Sequence, residues 1–256
     1  MSTSSAIANA RHPPASGKKR KNVIQLCSYN VRTLLQSSEE TLLGMSLERY
    51  NIDIACLSEL RLKDPGVRNL STVNRQDGTS RCTYDLHHGS GGIGIAIATR
   101  LRSLISLPAV SDRIAVMRIS AKPHNLCIAA AYATTNSAAD VAKITFTTNF
   151  LQCIFTVPLS DVLVIDGDFN TKLEAVDVSG RSSAGKFPSA STSCDNDDRL
   201  MSFALSQELF IANSFFNRRK HKLVTWRSPD NKTRNQIDYF LVRSSWRSSF
   251  LNVRAR

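Results

Sequence analysis

The chain has no apolar stretch approaching the roughly 18–20 residues that a membrane-spanning helix needs. Met1 to Asn22 contains Ser, Ala and Pro and holds no apolar core of the signal-peptide kind. No internal repeat is visible. The six cysteines (Cys27, Cys56, Cys82, Cys127, Cys153 and Cys194) form no C-x-x-C pair, which argues against structural zinc. Cys27, Cys56 and Cys127 fall inside apolar patterns, where thiols behave as small hydrophobes, and this usage fits a reducing compartment, nuclear or cytoplasmic. Gly89-Ser90-Gly91-Gly92 lacks the spacing and the Lys of a phosphate-cradling loop and reads as a hairpin turn.

Acid is scarce at both ends. Residues 1–22 carry Arg11, Lys18, Lys19, Arg20 and Lys21 and no acid, and residues 218–256 carry eleven basic groups against Asp230 and Asp238. The whole chain has a formal charge of +12, yet the interior, residues 23–217, is nearly balanced, with 17 basic and 19 acidic groups. Charge concentrated in this way points to a polyanion-binding surface beside a more neutral body. Arg218, Arg219, Lys220 and Lys222, with Trp226 and Arg234 close behind, interleave cations with an aromatic as nucleic-acid binding favours. Lys18-Lys19-Arg20-Lys21 has the makings of a short nuclear-import patch.

Against these absences stands a well-supplied core. A hydrophobic fraction of 42% over 256 residues suffices for one large two-layer domain. Residues 1–22 are expected to be a disordered basic tail and residues 23–256 a single domain. Apolar runs predict buried strands near 23–29, 52–58, 93–98, 113–119, 126–132, 162–166, 223–226 and 236–242. Helices are expected from Ser37, where Glu39 and Glu40 suit the first turn, and over 138–155 and 199–209. Residues 179–196, rich in Ser, read as a surface loop.

The most informative feature is Gly167-Asp168-Phe169-Asn170, directly after Val162-Leu163-Val164-Ile165. The glycine is expected to let the chain turn sharply at the strand end. The turn then presents a carboxylate and a carboxamide that can orient a water molecule and hydrogen-bond a phosphate oxygen. Three further motifs share the pattern of a polar group in or closing an apolar run: Ser28-Tyr29-Asn30, the run Ile52 to Glu59, and Asn235-Gln236-Ile237-Asp238-Tyr239. Each alone fits a strand cap. Together they put polar groups at the ends of four strands, the usual way in which a site is built on a scaffold.

In this order the motifs resemble the endonuclease/exonuclease/phosphatase superfamily. Thr225-Trp226-Arg227-Ser228-Pro229-Asp230, Arg234 to Tyr239 and Asn30-Val31-Arg32-Thr33-Leu34 are similar to the endonuclease domains of non-LTR retrotransposons and, more narrowly, to the craniofacial-development-protein-2-like group. The resemblance implies a four-layer α/β sandwich, two mixed β-sheets packed face to face with helices outside. It implies metal-dependent hydrolysis of phosphodiesters, with DNA the expected partner and Mg²⁺ or Mn²⁺ the cofactor. Glu59 matches the main metal ligand, and Asn30 the residue beside the metal that orients Glu59 or the phosphate. Asp168 matches the residue that deprotonates the attacking water, and Asn170 its partner. Tyr132 matches an active-site tyrosine, although Thr134 stands where the family usually has proline. Asp238 matches the carboxylate that orients a catalytic histidine.

That histidine belongs to a Ser-Asp-His triplet that opens the family's last strand, and no such triplet occurs in this sequence. His12, His87, His88, His124 and His221 lie in no matching context. The domain is therefore expected to lack its last strand, with unpaired backbone and impaired turnover as consequences. Three readings follow: a metal-dependent DNA endonuclease, a catalytically inactive nucleic-acid-binding module, and, ranked last, a hydrolase of phosphoinositide or sphingolipid headgroups.

Overall fold

A computed structural model describes residues 5–11, 23–73, 78–173, 183–187, 194–228, 230 and 232–255. The chain opens with β1 (Ser5–Arg11) and β2 (Val23–Asn30), followed by the helix α1 (Ser37–Arg49) and β3 (Ile54–Ser58). A run of antiparallel strands follows: β4 (Gly66–Val73), β5 (Ser80–His88), β6 (Ile93–Ala98), β7 (Ile105–Val110), β8 (Ile114–Ile119) and β9 (Leu126–Tyr132). Next come α2 (Asp140–Phe155), β10 (Val162–Asp168), α3 (Asp195–Ser206) and β11 (Leu209–Ile211). The short strands β12 (Trp226–Arg227) and β13 (Arg234–Asn235) precede β14 (Asp238–Arg243) and β15 (Phe250–Ala255).

The strands form two mixed sheets, ordered β15-β1-β2-β3-β6-β5-β4 and β11-β14-β10-β9-β8-β7, with β12 and β13 a separate ribbon. Alternation along each strand divides the apolar residues into layers. Leu26, Ile54, Ile95, Met117, Ile128, Val164 and Phe240 meet between the sheets. On the outer face of the first sheet Leu43 and Leu47 of α1 cover Ala55, Leu57, Leu86 and Ala96. On the outer face of the second, Phe150 of α2 and Phe203 of α3 pack on Leu163, Ile165 and Leu241. This is the expected four-layer arrangement. Among the described residues no helix is long and apolar enough to cross a membrane.

One expectation about the chain ends is corrected. The tail expected to be disordered contributes β1 to the interior of the first sheet, antiparallel to both β2 and β15. The edge of β2 is hydrogen-bonded along Ser5 to Arg11. The reason is that ladder hydrogen bonds come from backbone groups, so a segment without a strong apolar pattern satisfies an open edge as well as any other. The rest of the tail lies outside the described residues, as does most of the Ser-rich loop. The helix expected from Arg199 starts four residues earlier, at Asp195. Asp197 secures that start by accepting from the Cys194 backbone N–H (2.9 Å), from Lys172 N–H (2.9 Å) and from the Thr171 hydroxyl.

Gly167 acts differently from the reading above. It lies within β10, and a Cβ there would stand 1.9 Å from the carbonyl oxygen of Ala131 on β9. The residue is a close-approach glycine between parallel strands, and the turn itself falls at Asn170, whose φ is +49°.

Candidate active site

Strand direction decides where the polar strand ends meet. β2 and β3 run parallel with Asn30 opposite Ser58, so Asn30 and Glu59, the residue after Ser58, emerge at the same end of the first sheet. β9 and β10 are also parallel, with Tyr132 opposite Asp168. β14 runs antiparallel to β10 and begins at Asp238, directly opposite Asp168. Five of the residues singled out from sequence therefore stand at one end of the sandwich, and Asn170 follows two residues after Asp168.

On the first sheet, the Asn30 side-chain amide donates to Glu59 Oε1 at 2.7 Å. The Asn30 oxygen accepts the Arg32 backbone N–H at 2.9 Å, so Asn30 holds Glu59 in place and is itself held by the loop after β2. Asn30 thus serves here as an orienting group for Glu59. Glu59 has φ +58°, a left-handed conformation that costs a non-glycine residue free energy and that gathers at functional sites. Backbone bonds from Leu60 N–H to Gly92 (2.9 Å) and from Leu34 N–H to Leu60 (3.1 Å) hold it there. Glu59 Oε2 lies 3.7 Å from Arg61, and its side chain keeps 27% exposure.

On the second sheet the carboxyls are buried. Asp168 Oδ1 accepts the Asn170 backbone N–H (2.9 Å), and the Asn170 side-chain amide donates to the Ala133 carbonyl (2.9 Å), which locks the loop. Burial pushes the Asp168 carboxyl well up, the Asp238 charge adds to the shift, the Asn170 N–H opposes it, and Glu59 raises it further. Asp238 is raised to about 7, chiefly by burial, against the hydrogen-bonding of Thr225 and Ser28. Its partners are Ser28 Oγ, 3.4 Å away, and Thr225 Oγ1, which accepts the Asp238 backbone N–H. Among the described residues no histidine is recorded as a partner of Asp238. His124 instead sits against Trp246, with 4.7 Å between ring centroids, and the buried His88 bonds the Gly89 carbonyl.

Tyr132 lies between the two groups. Its hydroxyl is pushed up by burial and then by the charges of Glu59 and Asp168, which shows that both carboxylates act on it. Arg113, overlooked in the sequence reading, folds across it: the guanidinium carbon is 5.2 Å from the Tyr132 ring centroid, and Nη1 donates to the Tyr132 carbonyl at 3.2 Å. Arg113, Asp112, Thr134, Thr135 and Asn149 help line a cavity of about 700 Å³ beside Tyr132. The available signal was only a lone Arg preceding an apolar strand, which is too common to single out.

The basic residues divide. Arg218 is spent on structure, donating to Asn252 Oδ1 and to the Val253 carbonyl (3.3 Å). Arg219, Lys220 and Lys222 are exposed around the 3₁₀ turn Lys220–Lys222. Trp226, half-buried, pairs with Asn235 on the β12–β13 ribbon, and Arg234 stands opposite Arg227. The ribbon is anchored at the site, because Thr225 Oγ1 accepts both Ile237 N–H (3.0 Å) and Asp238 N–H (3.2 Å). Two arginines facing each other across a ribbon repel. Arg227 Nε is buried without a hydrogen-bond partner, and neither arginine has an ion pair among the described residues.

Asn30, Glu59, Tyr132, Asp168 and Asp238 thus converge, whereas Arg218 does not join the exposed cations. The chain is 29% identical to craniofacial development protein 2 of Bos taurus over 230 residues, 90% of this chain and 37% of that protein. The corresponding protein of Tragulus javanicus is 28% identical over the same length. The chain thus spans little more than a third of these relatives. Among solved structures, the endonuclease domain of TRAS1, a telomere-specific non-LTR retrotransposon, superposes with a TM-score of 0.54 at 14% identity, covering 87% of this chain and 86% of that one. An AP endonuclease from Leishmania major gives 0.53 at 14% identity, covering 88% and 80%. The family model for the endonuclease/exonuclease/phosphatase family matches residues 27–253, so the chain belongs to that family.

Proposed function

We propose that the domain hydrolyses phosphodiester bonds in nucleic acid, DNA foremost, with a divalent cation. The observation that carries the reading is the convergence of a braced, partly exposed Glu59 with a buried, proton-hungry Asp168 at one end of the sandwich. DNA is favoured by the exposed cations of the 219–222 turn and the β12–β13 ribbon, and by neighbours such as a D. rerio TDP2 complexed with a single-strand DNA product (TM-score 0.52, 15% or lower identity throughout). The retrotransposon-type ancestry suggested by the motifs agrees with the TRAS1 likeness.

The donor set suits a hard ion that needs little from the protein. Among the described residues no three His, Cys, Asp or Glu side chains are gathered to enclose a metal. Mg²⁺ typically takes one or two carboxylates and fills its remaining positions with water and phosphate oxygens. Glu59, with its second oxygen facing outward near Arg61, is the residue that would hold it. When bound, the ion would neutralise charge that builds on the phosphoryl oxygens.

The chain's own groups account for the rest. Asp168, with its carboxyl made a stronger proton acceptor by burial, accepts the proton of the attacking water, a role worth roughly 10²–10⁴ in rate. Asn170 N–H fixes the Asp168 oxygen that does not take this proton. The Tyr132 hydroxyl, which stays protonated through burial and neighbouring negative charge, is a donor for a phosphate oxygen. Arg113 adds a cation at the rim beside it.

The test is plasmid nicking in Mg²⁺ by the purified chain beside Glu59→Ala and Asp168→Ala proteins. Nicking that EDTA and both substitutions abolish is the expected result. Plasmid retarded on a gel in a salt-sensitive way, but never nicked, would replace the enzyme with a nucleic-acid-binding module.

A further inference from the structure

One buried carboxyl is used by none of this. On β10, Leu163 and Ile165 face the helices, while Val164 faces the other sheet, so Asp166 points into the gap between the sheets. It is 1% exposed, and neither of its oxygens has a hydrogen-bond partner among the described residues. Its strand neighbours in register, Ala130 of β9 and Phe240 of β14, are apolar. The polar groups acting on it are Ser28 of β2, Cys56 of β3, the Asp238 carboxyl and the Gly167 backbone N–H, and Asp168 shares its strand face two residues on. No lysine or arginine acts on it among the described residues. An unpaired charge in such a place costs far more than a neutral acid. Accordingly its carboxyl is raised well above the usual range, by burial first and by the Asp238 charge second. Cys56, its other neighbour, is likewise pushed up by burial and by Asp166.

We propose that Asp166 is a proton lock between the two sheets, carried as the neutral acid, with its O–H turned to Ser28 Oγ and the Ser28 O–H donating to Asp238 Oδ1. Asp166 and Asp238 of the second sheet are then joined through a hydroxyl of the first. The Ser28–Asp238 half of the chain is in place at 3.4 Å; Ser28 also lies beside Asp166, where as a donor it would favour the charged acid, so the lock requires the Ser28 O–H to be committed to Asp238. Raising the pH removes the Asp166 proton to solvent base and leaves three carboxylates on one face without a cation. The lock then opens where the sheets carry the site. This inference stands apart from the hydrolytic reading and holds or fails whether or not the chain turns over DNA.

The experiment is urea unfolding of the full chain and of Asp166→Asn between pH 5 and pH 9. Asn keeps the shape and an N–H donor but has no proton to lose. The unfolded carboxyl ionises near 4, so the wild-type unfolding constant, divided by that of Asp166→Asn, is expected to rise about tenfold per pH unit until Asp166 itself ionises. A ratio independent of pH would mean that Asp166 is already charged in the folded protein, and would overturn the lock. Carboxyl ¹³C shifts of aspartate-labelled wild-type protein decide the matter even if the variant misfolds. Two carboxyl signals still protonated at pH 6–7, in addition to that of Asp238, are expected, one of them lost in Asp168→Asn, and the absence of the second sinks the proposal. Ser28→Ala should move the Asp238 titration upward, since it removes a donor to the charged form. An unmoved Asp238 would remove Ser28 from the chain.

Discussion

The two sheets bring carboxyls to the same place in opposite conditions. Glu59, from the first sheet, keeps 27% of its side chain exposed, has Arg61 at 3.7 Å, and is gripped by a single amide hydrogen bond. Asp168 and Asp238, from the second, are 4% and 5% exposed and have no basic partner among the described residues. On the proposed function the difference is one of chemical role. A carboxylate that must face a cation has to stay wet enough to remain charged, while one that must take a proton benefits from burial that makes charge costly. The sandwich supplies both because its sheets end at one level but are covered unequally, the second sheet's strand ends lying under the Asn170 loop and the Thr225 segment.

The sharpest way to break this comparison is to pry apart the strand ends within the second sheet. Gly167→Ala puts a methyl 1.9 Å from the Ala131 carbonyl oxygen, so β9 and β10 must move apart beside Asp168. A loss of about 4 kcal/mol or more, or failure to fold, is expected. Urea denaturation reads it directly, and a loss under about 1 kcal/mol would show that the strands are not held as closely as described.

Next in size is the chemistry. Asp168→Asn keeps the loop hydrogen bond but removes the proposed base, and is expected to lower single-turnover nicking by roughly 10²–10⁴. Glu59→Gln should lower it too, but with a difference: excess Mg²⁺ should recover part of the Glu59→Gln loss and none of the Asp168→Asn loss. Equal rescue of both would erase the division of labour between the sheets.

The pH dependence sharpens the same point. Asp238, ordinarily ionising near 4 when unfolded, is raised to about 7 in the fold. The folded state therefore holds a proton that the unfolded state has lost, and the stability this provides is full below about 4 and is lost as pH rises from there through about 7. Asp238→Asn should flatten the fall in urea midpoint between pH 5 and pH 7. A wild-type midpoint that instead rises over that interval would contradict the burial described for the second sheet's carboxyls.

Much of this was legible beforehand, and the part that was not has a common cause. β2, β3, β6, β9 and β10 were readable because burial on both faces writes an apolar run, and the polar group that ends each run stands out against it. β4, β5, β7, β11, β13 and β15 were missed: β4, β7, β11 and β15 are sheet edges, β7 contains Pro108, and edges need no apolar pattern, while the interior strand β5 carries Arg81, Thr83 and Asp85 among its apolar residues. β1 was missed because a backbone ladder leaves little trace in side-chain type. In the site, the strand-end residues were readable and the surface assignments less so. Asn30, expected to orient Glu59 or the phosphate, is found bracing Glu59, whereas Arg218 was expected on nucleic acid and is tied to β15. Asp166 reads as one more polar letter before Gly167, and only the sheet-to-sheet packing shows that it is buried without a partner.

The smallest effects belong to the rim. Arg219, Lys220 and Lys222 are exposed, and Arg234 shares the ribbon with Arg227 without any acid opposite. Cations of this kind bind a polyanion by releasing counterions, so each contributes to salt dependence more than to fold. Arg234→Ala should weaken DNA binding modestly and evenly across sequences, and lower the slope of log affinity against log salt by about one. It should also relieve the Arg227–Arg234 repulsion and leave the free protein slightly more stable, by less than about 1 kcal/mol. Arg218→Ala should do the reverse, costing stability through the lost bonds to Asn252 and Val253 while the salt slope stays put. Fluorescence anisotropy with a labelled DNA strand, repeated across salt concentrations, separates the two. If both variants shift the slope equally, the exposed and the structural arginines have been assigned to the wrong surfaces.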